Sequence, residues 1–209
     1  MSLMIEDFGG RLASVWSGLR PATRGLVERA MQARNTTVPT RNVNTSSPPF
    51  DARADRELSL LLSALDERVI ETDLSRQREH GTQLRQIADT CAAVLQEKTQ
   101  SAEVFTQLVR RADSQRDYAR IDALADALRR FSPTEICELA RTEDAVVKAL
   151  ANEALAQTPT GILVLLLSDP VDSDIAREAL RRQALDYGSE EARQIVSALD
   201  QMNLTQDDI

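Results

Sequence analysis

The chain reads as an all-α protein of short antiparallel helices. Three observations predict this. Apolar residues make up 42% of the chain and aromatic ones only 3%, so the core must be built from Leu, Ala, Val and Ile. Gly and Pro number 7 each in 209 residues, and so few turn residues in an Ala/Leu/Glu/Arg/Gln-rich chain favour helix. No stretch alternates apolar and polar residues with period two between turn signals, so no strand is expected. The length suffices for one or two domains with a sizeable core.

Residues 3–19 place Ile5, Phe8, Leu12, Val15, Trp16 and Leu19 on one helical stripe. Gly9-Gly10 weakens that helix by about 1 kcal/mol per Gly relative to Ala. Pro21 ends it and opens the next, because Pro suits the first helical position. There Leu26, Val27, Ala30 and Met31 share a face. From Asn35 to Pro49 Thr, Asn, Ser and Pro dominate and the apolar period is lost, which predicts a flexible linker. The expected organisation is amphipathic helices in 1–34, a linker over 35–54 and a helical domain over 55–205.

Within that domain, residues 55–71 align Leu58, Leu61, Leu62, Leu65 and Val69. A helix from about Leu74 aligns Leu84, Ile87, Ala88, Cys91, Val94 and Leu95, and residues 101–112 add Val104, Phe105, Leu108 and Val109. The spacing leaves open whether Thr99-Gln100-Ser101 divides 74–112 into two helices. Residues 116–130 are expected to bury Tyr118, Ile121, Leu124 and Leu128. Ser132-Pro133-Thr134-Glu135 is a capping box with Pro at the first helical position, and fixes a helix start. That helix carries Ile136, Leu139 and Ala140. Thr142 or Asp144 opens the next, with Val146, Val147, Leu150, Ala151, Ala154 and Leu155. Thr158-Pro159 starts a helix through Leu167. Its run Ile162–Leu167 has no polar residue, so it is expected to be buried all round and Leu165→Asp to prevent folding. Ser168-Asp169-Pro170 ends it. Residues 173–187 carry Ile175, Ala179, Leu180, Ala184 and Tyr187, and Gly188 supplies the residue after the helix. Ala192, Ile195, Val196, Leu199 and Met202 mark the last helix, with a polar tail from Thr205 that is expected to fray.

The formal net charge is −8, a field that repels phosphate backbones and argues against general nucleic-acid binding. The charge is uneven: residues 1–34 carry +2, from five arginines against Glu6, Asp7 and Glu28, next to an acidic body. The start lacks a basic segment followed by an apolar run, so no export signal is read. The longest apolar run, Gly161–Leu167, falls far short of the roughly 20 residues that span a bilayer. Cys91 and Cys137, far apart in helical patterns, read as free buried thiols. These signals together place the chain in the cytoplasm.

Signatures of catalysis are missing from the sequence. His80 is the only histidine and has no nearby cysteine, which argues against zinc and reads as an exposed, incidental side chain. No phosphate loop, nucleophile elbow or Glu-x-x-His motif is present. Asp122 with Asp126, and Glu190 with Glu191, read as solvated helix faces rather than acid/base pairs. Arg110-Arg111, Arg129-Arg130 and Arg181-Arg182 lie near helix C-termini, where they complement the helix dipole. No cofactor or metal is expected. Trp16, the only Trp, is expected first to pack on the protein's own body, and second to anchor a partner. Glu6 and Asp7 oppose an anionic membrane surface beside it.

A pattern recurs in the C-terminal half. Leu139-Ala140-Arg141-Thr142-Glu143-Asp144 and Leu167-Ser168-Asp169-Pro170-Val171-Asp172 each join a Leu-rich helix end to an acidic turn, at an offset of about 28 residues, within the range of helical-repeat periods. In the following helices Val147, Lys148, Ala151, Ala154 and Leu155, then Ile175 and Ala179, keep a shared register, with Ala119, Arg120 and Ala123 weaker in the unit before. Over about residues 101–203 this resembles the HEAT-type, armadillo-like helical repeats. It departs where Ala176 stands in place of a basic residue and Arg177 follows. The resemblance implies helix pairs stacked as a right-handed solenoid, with the N-terminal helices packed on or preceding it. It also implies a concave face lined by the second helices, which would put Arg120, Lys148, Arg177 and Arg181 in contact with a partner protein. The expected role is a scaffold or regulatory interaction module without catalysis of its own. The alternative is an enzyme or cofactor-handling protein on such a fold, like the HEAT-like lyases and glycosylases, which need a concave pocket of convergent charged and aromatic groups. A homo-oligomer with 74–112 as its seam is a third reading.

Overall fold

The computed structural model describes residues 9–35, 51–74 and 78–206, and all regular structure among them is helical. The chain divides into two compact units between Leu108 and Val109.

In the first unit, α1 (Gly10–Gly18), α2 (Pro21–Asn35), α3 (Ala52–Leu74) and α4 (Arg78–Lys98) are followed by the opening turns of α5 (Ala102–Ser114). Ile5 and Phe8 of the expected N-terminal stripe lie outside the described residues. α1 starts at Gly10 behind Gly9, whose φ of 121° is a conformation open to glycine and strained for other residues. α3 starts at Ala52, so residues 52–54, read as linker, form its first turn. Asp51 caps it, accepting from the backbone N–H groups of Arg53 and Ala54 at 3.0 and 3.3 Å. The rest of the expected linker, 36–50, lies outside the described residues.

α3 and α4 run antiparallel. Arg85 pairs with Asp73 near one end, the Cys91 thiol donates to the Leu58 carbonyl in the middle, and Thr99 bonds Asp55 at the other end. Leu58, Leu61, Leu62 and Leu65 of α3 meet Leu84, Ile87, Ala88 and Leu95 of α4 in a core from which water is excluded. Leu12, Trp16 and Leu19 close it from the α1 side. Arg20 ties the α1–α2 junction to α3 through Glu57 at 2.8 Å and Asp51 at 3.0 Å, and the Thr23 hydroxyl donates to Glu57. Thr99-Gln100-Ser101 does break 74–112. The Thr99 N–H closes α4 on the Leu95 carbonyl at 2.8 Å, and its hydroxyl accepts from the Ser101 N–H at 3.2 Å.

Asp55 is 4% exposed and one of its carboxyl oxygens has no hydrogen-bond partner. Burial holds its pKa above the usual carboxylate value, against the Thr99 hydroxyl and with the Asp51 charge. A raised folded-state pKa gives stability that is complete below the unfolded value and is lost as pH rises through the folded one. Asp55→Asn is therefore expected to raise the melting temperature at pH 7. The two proteins should converge at a pH where both carboxyl states are protonated. Equal melting temperatures at both pH values would refute the buried-charge account.

The second unit continues with α6 (Tyr118–Ala127) and a 3-10 turn, Leu128–Arg130. Then come α7 (Pro133–Ala140), α8 (Ala145–Ala156), α9 (Thr160–Leu166), α10 (Ser173–Leu185) and α11 (Glu190–Gln206). The expected caps are in place. Ser132 accepts from the Glu135 N–H with Pro133 at the first position, and Asp144, not Thr142, caps α8 through Val146 and Val147 at 3.1 Å each. Gly188 has φ 66°, as its position after α10 requires. α7 packs on α8, α9 on α10, α8 on α10, and α10 on α11. The helix at 190 runs to Gln206, past Thr205; the last three residues lie outside the description.

Two burial expectations are overturned. Tyr118 and Tyr187 are exposed, at 66% and 51%. Tyr118 opens its helix directly after the Asp117 cap, and Tyr187 follows the end of α10, so neither lies on a packed stripe. The apolar helix at 160–166 is also not buried all round. Leu163 and Leu166 are inside, at 0% and 8%, whereas Ile162, Val164 and Leu165 face solvent, Leu165 at 73%. The helix is seven residues long and turns one face, i and i+3, onto its neighbours. The expectation that Leu165→Asp prevents folding falls with this.

Ala151 and Ala179 are 0% and 4% exposed, on helices that pack on each other. Leu at either position is expected to overpack the contact by about 1–3 kcal/mol. Ala149→Leu, on the exposed face of α8, should stay within about 0.5 kcal/mol. Urea unfolding of the three variants decides it; indistinguishable midpoints would sink the close-contact assignment.

Candidate functional site

The four cations of the expected binding face occur on α6, α8 and α10, and two of them, Arg120 and Arg181, are paired locally. Arg120, with a side chain 20% exposed, reaches Asp117 at 3.5 Å, and its Nη1 is buried without a hydrogen-bond partner. Arg177 is half-buried with its Nε likewise unpartnered. Arg181 bridges to Asp200 of α11 at 3.5 Å and to Glu178 at 4.0 Å. Lys148 is exposed. The cations share no acidic partner. Trp16 is 8% exposed and serves the core of the first unit.

The arginine doublets make ion pairs of their own. Arg110 reaches the α8 cap Asp144 at 3.0 Å, and Arg129 reaches Asp126 at 3.4 Å. The Val147 N–H, then the Arg110 and Val146 donors, hold the Asp144 carboxyl below its usual pKa against partial burial. Cys91 and Cys137 are buried free thiols, and burial pushes Cys137 up to about 11, away from thiolate chemistry. His80 is exposed. Among the described residues no group of three His, Cys, Asp or Glu could hold a metal ion, and no helix is long and apolar enough to cross a membrane.

Sequence reasoning missed a cleft of about 480 Å³ in the second unit. The end of α6 and its 3-10 turn form one wall, α8 the other, and the starts of α7 and α9 the floor and end. Leu128, Phe131, Ile136, Leu150, Ala154 and Ile162 give it an apolar lining; Asp126, Arg129, Glu153 and Gln157 stand at its rim. Leu128, Ile136, Leu150 and Ala154 are visible in the sequence as helix stripes. What the stripes did not show is that Pro133 and Pro159 start their helices beside this gap and do not fill it. Glu153 is fixed at the rim by donors from the Tyr187 hydroxyl and from Gln157 Nε2, the latter at 2.9 Å. These bonds, Tyr187 first, hold its carboxyl below the usual pKa, and Arg182 adds to the effect, so it is ionised at neutral pH. A smaller cleft of about 300 Å³ in the first unit lies between α1 and α3, beside Leu60, which is 58% exposed.

Gln183 is a second residue the sequence did not mark. It is 6% exposed on α10, and its amide donates to the Ala156 and Thr158 carbonyls at 3.1 and 2.5 Å while accepting from the Thr160 hydroxyl at 3.1 Å. This strap satisfies the orphan carbonyls at the end of α8 and sets where α9 begins, and with it one end of the cleft. None of the family models, curated proteins or solved structures compared with this chain matches it.

Proposed function

We propose that the chain is a protein-interaction module without catalysis of its own, acting in the cytoplasm, and that the second unit docks the partner in the cleft between α6 and α8. The observation that carries this is apolar surface open to solvent. The cleft has an apolar lining, and the surface continues from Ile162, 37% exposed, to Leu165, 73% exposed, one turn along the same face of α9. A rimmed apolar surface of this kind marks a binding site more often than an accident of packing. Packing of α7 on α8, α9 on α10 and α8 on α10 supports a HEAT-type register for this unit, with Lys148 and Arg181 as peripheral contacts.

The test compares the intact chain with Ile162→Asp, Leu165→Asp and, as a control in the first unit, Leu60→Asp. Each is checked for an unchanged circular dichroism spectrum and used as bait in quantitative affinity capture. The partners retained by the wild type should be lost with the two α9 variants and kept with the control. Retention of the same set by all four baits would eliminate the cleft as the docking surface.

A further inference from the structure

The charges around the cleft narrow the kind of partner, granted the reading of the cleft as a docking surface. Carboxylates stand on both of its walls. Asp126 lines the α6 wall, with Asp122 exposed one turn earlier on the same face. Glu153 stands on the α8 wall, exposed and held ionised by Tyr187 and Gln157. Arg129, the one cation among the described residues lining the cleft, forms an exposed pair with Asp126 at 3.4 Å, and the Arg182 charge acts on Glu153 from nearby. Three carboxylates thus face two guanidinium groups. The wider surroundings lean the same way: the second unit carries 12 Lys and Arg against 19 Asp and Glu. Flanking acids on an incoming ligand would be repelled and flanking bases attracted. The walls are helices, and among the described residues no strand edge is present to pair with an extended peptide. The recognition mode left to a groove between helices is an amphipathic helix laid into it, anchored at i, i+3 or i+4, and i+7.

We propose that the cleft of the second unit receives the apolar face of a partner helix whose flanking positions are Lys or Arg, meeting Asp122, Asp126 and Glu153. The probe is a displayed library of helical peptides with Leu fixed at i, i+4 and i+7 and Lys, Glu, Gln or Ala allowed equally at the flanks. It is selected on the full chain at low salt. Enriched clones are then titrated by fluorescence anisotropy against wild type, Leu165→Asp, Ile162→Asp, Glu153→Lys, Asp126→Lys and the control Glu103→Lys, an exposed residue of the first unit. The expected clones carry Lys at the flanks and bind Ile162→Asp and Leu165→Asp at least about tenfold more weakly. They lose about tenfold on either charge reversal at the rim, ignore Glu103→Lys, and weaken with added salt. Clones that require Ile162 and Leu165 but carry Glu or uncharged flanks would overturn the charge selection while leaving the docking surface standing. No enrichment, or clones indifferent to the α9 changes, would overturn both.

Discussion

Leu163→Asp is expected to prevent the second unit from folding, whereas Leu165→Asp, two residues on, leaves it folded. Both leucines belong to one uninterrupted apolar run, so the difference is purely one of place. Leu163 is 0% exposed on the face of α9 that packs against α10, and Leu165 is 73% exposed on the other side. A carboxylate at 163 would be dehydrated with no cation or donor arranged for it, at a cost of about 4 kcal/mol or more, against a total stability of about 5–15 kcal/mol for a domain. At 165 the carboxylate stays in water and removes an exposed apolar group, so the change should fall within about 0.5 kcal/mol. Expression followed by thermal unfolding measured by circular dichroism checks both. A folded Leu163→Asp with an unchanged transition would show that the face assignment is wrong.

Arg141→Met is expected to destabilise the same unit by about 2–4 kcal/mol. Arg141 follows α7 and pairs with Asp172, which precedes α10. The Asp172 side chain is 5% exposed, and Arg141 provides its charge partner. Removing the cation leaves a dehydrated carboxylate unpaired, which is the costly way to break such a pair. The 38% exposure of Arg141 lets some water reach the gap, which puts the estimate below the full penalty of a deeply buried pair. Adding Asp172→Asn removes the orphan charge and keeps the shape, so the double variant should recover most of the loss. A double variant as unstable as the single one would mean that the packing of the Arg141 stem, not the charge, carries the effect.

How much of this was legible in the sequence varies by element. Ser132-Pro133 and Asp144 announced the starts of α7 and α8 because a cap is local chemistry, a side-chain oxygen and an N–H two or three residues away. The stripe of α3, Leu58 to Leu65, was equally plain, since a long helix shows its period over several turns. Asp51 is legible as a cap too, but the polar stretch before it draws the expected boundary past Ala52. The cleft was not legible. A stripe residue such as Leu150 or Ile162 looks the same in sequence whether a neighbour covers it or water does.

The sequence by itself determined that the chain is helical, where most helices begin and end, and that its thiols are buried. Aliphatic periodicity, scarce turn residues and local caps are properties of near neighbours along the chain. Only the tertiary structure decided that α9 turns Leu165 outward. It also decided that Gln183 straps the end of α8, and that an apolar cleft with carboxylates on both walls stays open between α6 and α8. Each depends on which helix comes to rest against which. That is set by packing between residues tens of positions apart, Glu153 against Tyr187 or Arg141 against Asp172, and no local pattern encodes it.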